Sequence, residues 1–145
     1  MSTCEQFERD YNLSCKNNKT MSEIVNQIIR STGYTLDELQ EKSQIDRRTL
    51  YRLKTGTIKT KKRTMDYFPS MKTLVAFSIA CNLDLLNAET LLNSLGLAFN
   101  RTNKVHYAYW YIIKDCRGKS ISDCNKVLKS LGIADDDLLR DPDGV

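Results

Sequence analysis

Apolar residues recur three and four positions apart through most of this chain, and little interrupts them. Ile24, Ile28 and Ile29 follow that spacing, as do Leu50 and Leu53, Leu74, Val75 and Ile79, and Val127, Leu128 and Leu131. Such residues line one face of a helix, whereas a half-buried strand needs strict alternation. Proline breaks helices. It occurs only at Pro69 and Pro142, and no run of alternating β-branched residues is present. The chain is therefore expected to be all-α.

Helix ends carry their own signals. One helix is expected from Met21 to Thr32, capped by Thr20 or Ser22 and stopped by Gly33. Thr35 with Glu38 forms a capping box that opens the next, to about Ser43. Asp46 caps a third that runs to about Lys54, and Gly56 closes it. The stretch "TIKTKKRTMDYFPS" then reads as a basic loop of more than ten residues. A fourth helix begins after Pro69 and Ser70 and ends at Cys81 and Asn82; a fifth runs from Leu86 or Ala88 to Leu95. In the last third, "KVHYAYWYIIKDC" and "SDCNKVLKSLGI" read as a helical pair, the second capped by Ser122. These elements divide the chain into an N-terminal arm or short helix (1–20), a central domain (21–97) and a C-terminal helical extension (98–145). The acidic tail "DDDLLRDPDGV" is expected to fray.

Charge is concentrated in one place. Between Arg47 and Lys72 stand nine basic residues and one acid, Asp66, for a net charge of +8; the remaining positions hold 13 basic and 17 acidic residues, net −4. A basic block in an otherwise acidic chain is either a solvated charge run or a footprint for a polyanion. The segment around it favours the second. Two short helices joined by the tight turn "SQID" form a helix-turn-helix. The second helix of that motif enters the DNA major groove. Ile45, Leu50 and Leu53 face inward, so Arg47, Arg48, Tyr51, Arg52 and Lys54 face outward together. Arginine can contact guanine O6 and N7 bidentately, a pair worth about 1–3 kcal/mol of discrimination.

The stretch "YTLDELQEKSQIDRRTLYRLKTG" resembles the helix-turn-helix of the phage Cro/repressor type, the XRE family. Thr35, Glu38, Leu39, Ile45, Thr49, Leu50, Leu53 and Gly56 fall on the family's pattern, and "PSMKTLVAFSIACNLDL" is similar to the helix that follows it. Together these cover residues 21 to 86. The region downstream is similar, more loosely, to a C-terminal helical extension of some members. The resemblance implies a five-helix repressor-like domain and a cytoplasmic, sequence-specific transcriptional regulator of double-stranded DNA, a repressor. On that reading Arg47, Arg48, Tyr51 and Arg52 contact bases. Thr35, Lys54, Thr55, Lys59, Lys61, Lys62 and Arg63 contact phosphates. The C-terminal helices make a homodimer or a site for a regulatory partner protein. The chain departs from the pattern at Leu36, Gln40 and Gln44. Leu36 cannot hydrogen-bond where the family's glutamine does, and glutamine replaces a small alanine and the turn glycine, which implies a slightly opened or reshaped turn. These departures keep a second reading in place: a protein-interaction module, or an antitoxin-like partner, built on the same fold.

Little else points to chemistry. The five cysteines, at positions 4, 15, 81, 116 and 124, are scattered and odd in number, and His106 is the single histidine. Zinc sites need tight local pairs of ligands, so no metal, no cofactor and free thiols are expected. His106 has no partner placed to make it catalytic and reads as a packing residue, so no enzyme is expected. No run of 18 apolar residues spans a membrane and no apolar leader opens the chain. Tyr107, Tyr109, Trp110 and Tyr111 form either the core of the C-terminal pair or a self-association surface; Leu36, Leu138 and Leu139 are further candidates for association.

Overall fold

The computed structural model describes residues 2–140. The architecture is mostly helical, with one small two-stranded sheet. In chain order the helices are α1 (Thr3–Asn17), α2 (Met21–Thr32), α3 (Leu36–Ser43), α4 (Arg47–Thr55), α5 (Met71–Ala80), α6 (Leu85–Asn93), α7 (Lys104–Asp115) and α8 (Ile121–Ser130). Strands β1 (Thr57–Lys59) and β2 (Thr64–Asp66) form an antiparallel hairpin between α4 and α5.

Each helix starts where a short polar side chain takes up a free backbone amide, as capping requires. Ser2, Thr20, Thr35, Asp46, Ser70, Asp84, Asn103 and Ser120 each accept a hydrogen bond from the amide three residues on. Two of the expected starts move. α6 begins at Leu85 because Asp84 is its cap. α8 is capped by Ser120, not Ser122, which brings Ile121 into the helix and into the core at 3% exposure.

The core is continuous from Met21 to Leu139. Its centre is α5, buried on most of its circumference through Leu74, Val75, Ala76, Phe77, Ser78 and Ala80. A helix apolar all round belongs in the middle of a bundle, and α5 packs against α3, α6, α7 and α8. α2 closes over α4 and α6. The turn after α5 is tied to the loop after α7: Arg117 donates to the Asn82 carbonyl at 3.1 Å, and the Gly118 amide donates to Asn82 Oδ1 at 3.0 Å.

The acidic tail departs from expectation as far as Arg140. Leu139 is buried at 2% and Leu138 packs beside it, so this pair is spent inside the molecule. Asn125 clamps the Leu139 backbone, donating to its carbonyl at 2.7 Å and accepting from its amide at 2.9 Å. The Tyr109 hydroxyl and Lys72 Nζ donate to the carbonyls of Asp137 and Asp136. The expected fraying of residues 141–145 lies outside the described residues.

Candidate nucleic-acid interface

α4 is held from both ends. At its start the Asp46 carboxylate accepts from the Thr49 amide at 2.7 Å, and hydrogen bonding from Thr49 holds its carboxyl below the usual range. At its end Gly56 takes φ 73°, and Asn26 of α2 donates one amide to both the Lys54 carbonyl and the Ser22 carbonyl, each at 2.8 Å. Leu50 and Leu53 are fully buried against α2 and α3. Three-and-four spacing then puts Arg48, Tyr51, Arg52 and Thr55 on the opposite face, with Arg47 and Lys54 seven apart along its flank. Tyr51 is 48% exposed, and Arg47 and Arg48 are exposed; Arg52 and Lys54 are half-buried along their stems.

The turn before α4 is made by Gln44. Gln44 itself adopts the left-handed conformation, φ 57° and ψ 21°. Its amide donates to the Gln40 carbonyl at 2.9 Å and its side chain donates to the Glu41 carbonyl at 2.6 Å. Local hydrogen bonds offset a conformation that costs a residue with a Cβ about 1–2 kcal/mol.

The expected basic loop is largely the hairpin. Thr57 pairs with Asp66, Ile58 with Met65 and Lys59 with Thr64. The Thr60 hydroxyl closes the tip, accepting from the amides of Lys62 and Arg63 at 3.3 and 3.1 Å and donating to the Arg63 carbonyl at 3.0 Å. Three residues per strand make the hairpin roughly 10 Å long, and β1 adjoins α4. Lys59, Lys61, Lys62 and Arg63 are all exposed there. The structure thus brings the expected phosphate-contacting lysines to one projecting point adjoining α4.

Thr35 sits apart from this cluster in function. Its hydroxyl accepts from the Glu38 amide at 3.2 Å and lies 3.2 Å from Glu38 Oε1, so it is committed to the α3 capping box. Beside it is a residue the sequence reasoning missed. Asp37, in the first turn of α3, forms an ion pair with Arg47. Ten positions separate the two in sequence, and only the turn at Gln44 to Asp46 brings the helix starts together. Thr55 stands at the far end of the face, its hydroxyl 3.2 Å from that of Thr57.

The remaining candidates separate by burial. Tyr109 points into the core, while Tyr107 and Tyr111 stay 46% and 38% exposed. The cations of Arg101 and Lys114 lie 4.7 and 5.0 Å from the Trp110 ring. His106 Nδ1 accepts from the Asn100 amide at 3.0 Å and so pins the loop before α7. Among the described residues no cluster of histidine, cysteine, aspartate and glutamate could hold a metal ion, and no helix is long and apolar enough to cross a membrane. The cysteines are unpaired. An open groove of about 830 Å³ lies between α2 and α6, floored by Ile24, Ile28 and Leu83. Comparison with protein-family models, with curated proteins and with solved structures returned no match.

Proposed function

We propose that the protein is a sequence-specific regulator that binds double-stranded DNA, a repressor, through α3 and α4 of a five-helix repressor-like domain. The observation that carries this reading is the union of two features. α4 turns Arg48, Tyr51 and Arg52 outward as one face, with Arg47 on its flank, and the hairpin tip puts Lys59, Lys61, Lys62 and Arg63 immediately beyond it. α4 lies in the major groove, where the arginines and Tyr51 meet base edges. The hairpin follows the adjacent backbone, and Lys54 and Thr55 hold phosphates at the base of the hairpin. Thr35, its hydroxyl engaged in the capping box, supports the start of α3 against the strand. A homodimer through the C-terminal helices, using the outward Tyr107 and Tyr111, sets two α4 helices about one DNA turn apart on a palindromic site.

Selection of bound duplexes from a random pool tests this. Arg48→Ala and Arg52→Ala are expected to relax one or two base positions each. Lys61→Ala with Lys62→Ala is expected to weaken all sequences alike. With roughly six phosphates neutralised, log affinity falls against log salt with a slope of about −5, and the double variant flattens it by about 2. No duplex binding at low salt refutes the reading. In that case the ion pair between Asp37 and Arg47 favours the alternative, an interaction module or antitoxin-like partner, because an exposed acid at this face suits a protein surface better than a phosphate.

A further inference from the structure

Between β2 and α5 the chain runs back along α4. At the end of α4 the Tyr67 amide donates to the Gly56 carbonyl at 2.9 Å. At its start Lys72 and Thr73 line a small cleft with Asp46 and Thr49. The Tyr67 side chain follows the same course. Burial holds its hydroxyl above the ordinary range, while Arg52 pulls it down and Asp46 pushes it up, so both charges are near. Asp46, Thr49 and Arg52 are three apart and share one flank of α4. The segment therefore borders the outward face of α4 on the side of Arg52.

Exposure alternates along it, as in a strand. Met65, Tyr67 and Pro69 are buried or half-buried, and Thr64, Asp66, Phe68 and Ser70 are exposed. Three of those four outward positions carry polar side chains. The fourth, Phe68, is 73% exposed. A single exposed apolar residue is ordinary on a protein surface. This one is held between a hydrogen-bonded residue and a buried proline, on the rim of the basic face.

We propose that Phe68 is a specificity-determining residue that packs on the 5-methyl group of a thymine in DNA bound by α4. The proposal rests on the DNA-binding reading and extends it to a base that the arginines do not read. A phenyl ring cannot neutralise a phosphate, and it matches no donor or acceptor on a base edge. The major groove presents one apolar group on its base edges, the thymine methyl. Tyr67 and Pro69 fix the backbone on either side, so little of Phe68 is left to order on binding. Its place on the flank of Arg52 sets the thymine next to the base that Arg52 reads.

The test uses duplexes selected by the wild-type chain, with each thymine replaced in turn by uracil, which lacks only the methyl group. Wild-type affinity is expected to fall about three- to fivefold at one thymine in each half-site, the worth of one buried methyl. That thymine adjoins the position that Arg52→Ala relaxes. Phe68→Ala should bind the thymine duplex at least threefold more weakly and no longer distinguish thymine from uracil there. Phe68→Leu, still apolar, should keep part of the preference. At every other thymine the variants and the wild-type chain should respond alike. Melting temperatures should stay unchanged, since the side chain is largely exposed. Phe68→Ala that binds as tightly as the wild-type chain overturns the proposal. So does Phe68→Ala that weakens every duplex while the uracil pattern stays intact. In both cases the DNA-binding reading stands. A wild-type chain that binds no duplex overturns the two together.

Discussion

Replacing Asn125 by alanine tests whether the C-terminal tail is part of the folded body. Asn125 is 4% exposed and makes two hydrogen bonds to the Leu139 backbone, at 2.7 and 2.9 Å. Each is worth about 1 kcal/mol, and a buried amide or carbonyl left without a partner costs about 1–3 kcal/mol. The tail has one escape, which is to peel away and rehydrate. That route forfeits the burial of Leu139, about 2 kcal/mol, together with the two bonds, and so caps the loss at about 4 kcal/mol. The expected destabilisation is about 2–4 kcal/mol by urea unfolding. In a chain of this length that lowers the melting temperature by about 6–12 °C. Asn125→Asp sharpens the test. Its carboxylate still accepts from the Leu139 amide but presents oxygen to the Leu139 carbonyl, so it should cost at least as much as alanine at neutral pH. That environment raises the carboxyl pKa in the folded state. Stability should then recover as pH falls, because the protonated acid can donate to the carbonyl. A loss below about 0.5 kcal/mol for Asn125→Ala would refute the argument, since two buried bonds cannot be removed so cheaply.

Three further outcomes are expected. Gln44→Gly should leave stability within about 1 kcal/mol in thermal unfolding, relief of about 1–2 kcal/mol of left-handed strain being set against glycine's greater freedom when unfolded and the lost bond to the Glu41 carbonyl. Gln44→Val should destabilise it. Asp37→Asn should raise duplex affinity about two- to fivefold in a salt titration, because it frees Arg47 from an exposed ion pair worth at most about 1 kcal/mol. Cys4 and Cys15 should react quickly with a thiol reagent at pH 8, whereas Cys81, Cys116 and Cys124 react only on unfolding. Burial pushes the Cys81 and Cys124 thiols up to about 12, so raising the pH from 7 to 9 should not make those two react in the folded protein.

Much of the fold could be read from local signals. Thr20, Thr35, Asp46 and Ser70 each start a helix where the sequence places them, and Gly33 and Gly56 each close one. A cap is a contact across three residues, so three residues suffice to recognise it. The outward grouping of Arg48, Tyr51 and Arg52 was legible for the same reason, because helical geometry follows once Leu50 and Leu53 are known to point inward. Where two local signals compete, the core decides. Ser120 prevails over Ser122 because only then is Ile121 carried to a buried position on α8.

What depended on distant partners was hidden. The hairpin has three residues per strand and no alternation to announce it; β2 needs β1, and the tip needs the Thr60 bonds. The resemblance marks Gln44 as a turn-glycine position, but that a glutamine takes the glycine's conformation there rests on the carbonyls of Gln40 and Glu41 at the end of α3. Asp37 meets Arg47 only after the turn has folded. Leu138 and Leu139 looked like part of a loose acidic end, and they are held by Asn125, Tyr109 and Lys72, none nearer than 14 residues to its target. The sequence by itself determined the helices, their caps and which side of α4 carries charge, because those rest on neighbours within about one turn. The tertiary structure alone decided how the hairpin projects, which acid pairs with Arg47 and where the tail goes, because those rest on surfaces that exist only once the chain has closed on itself.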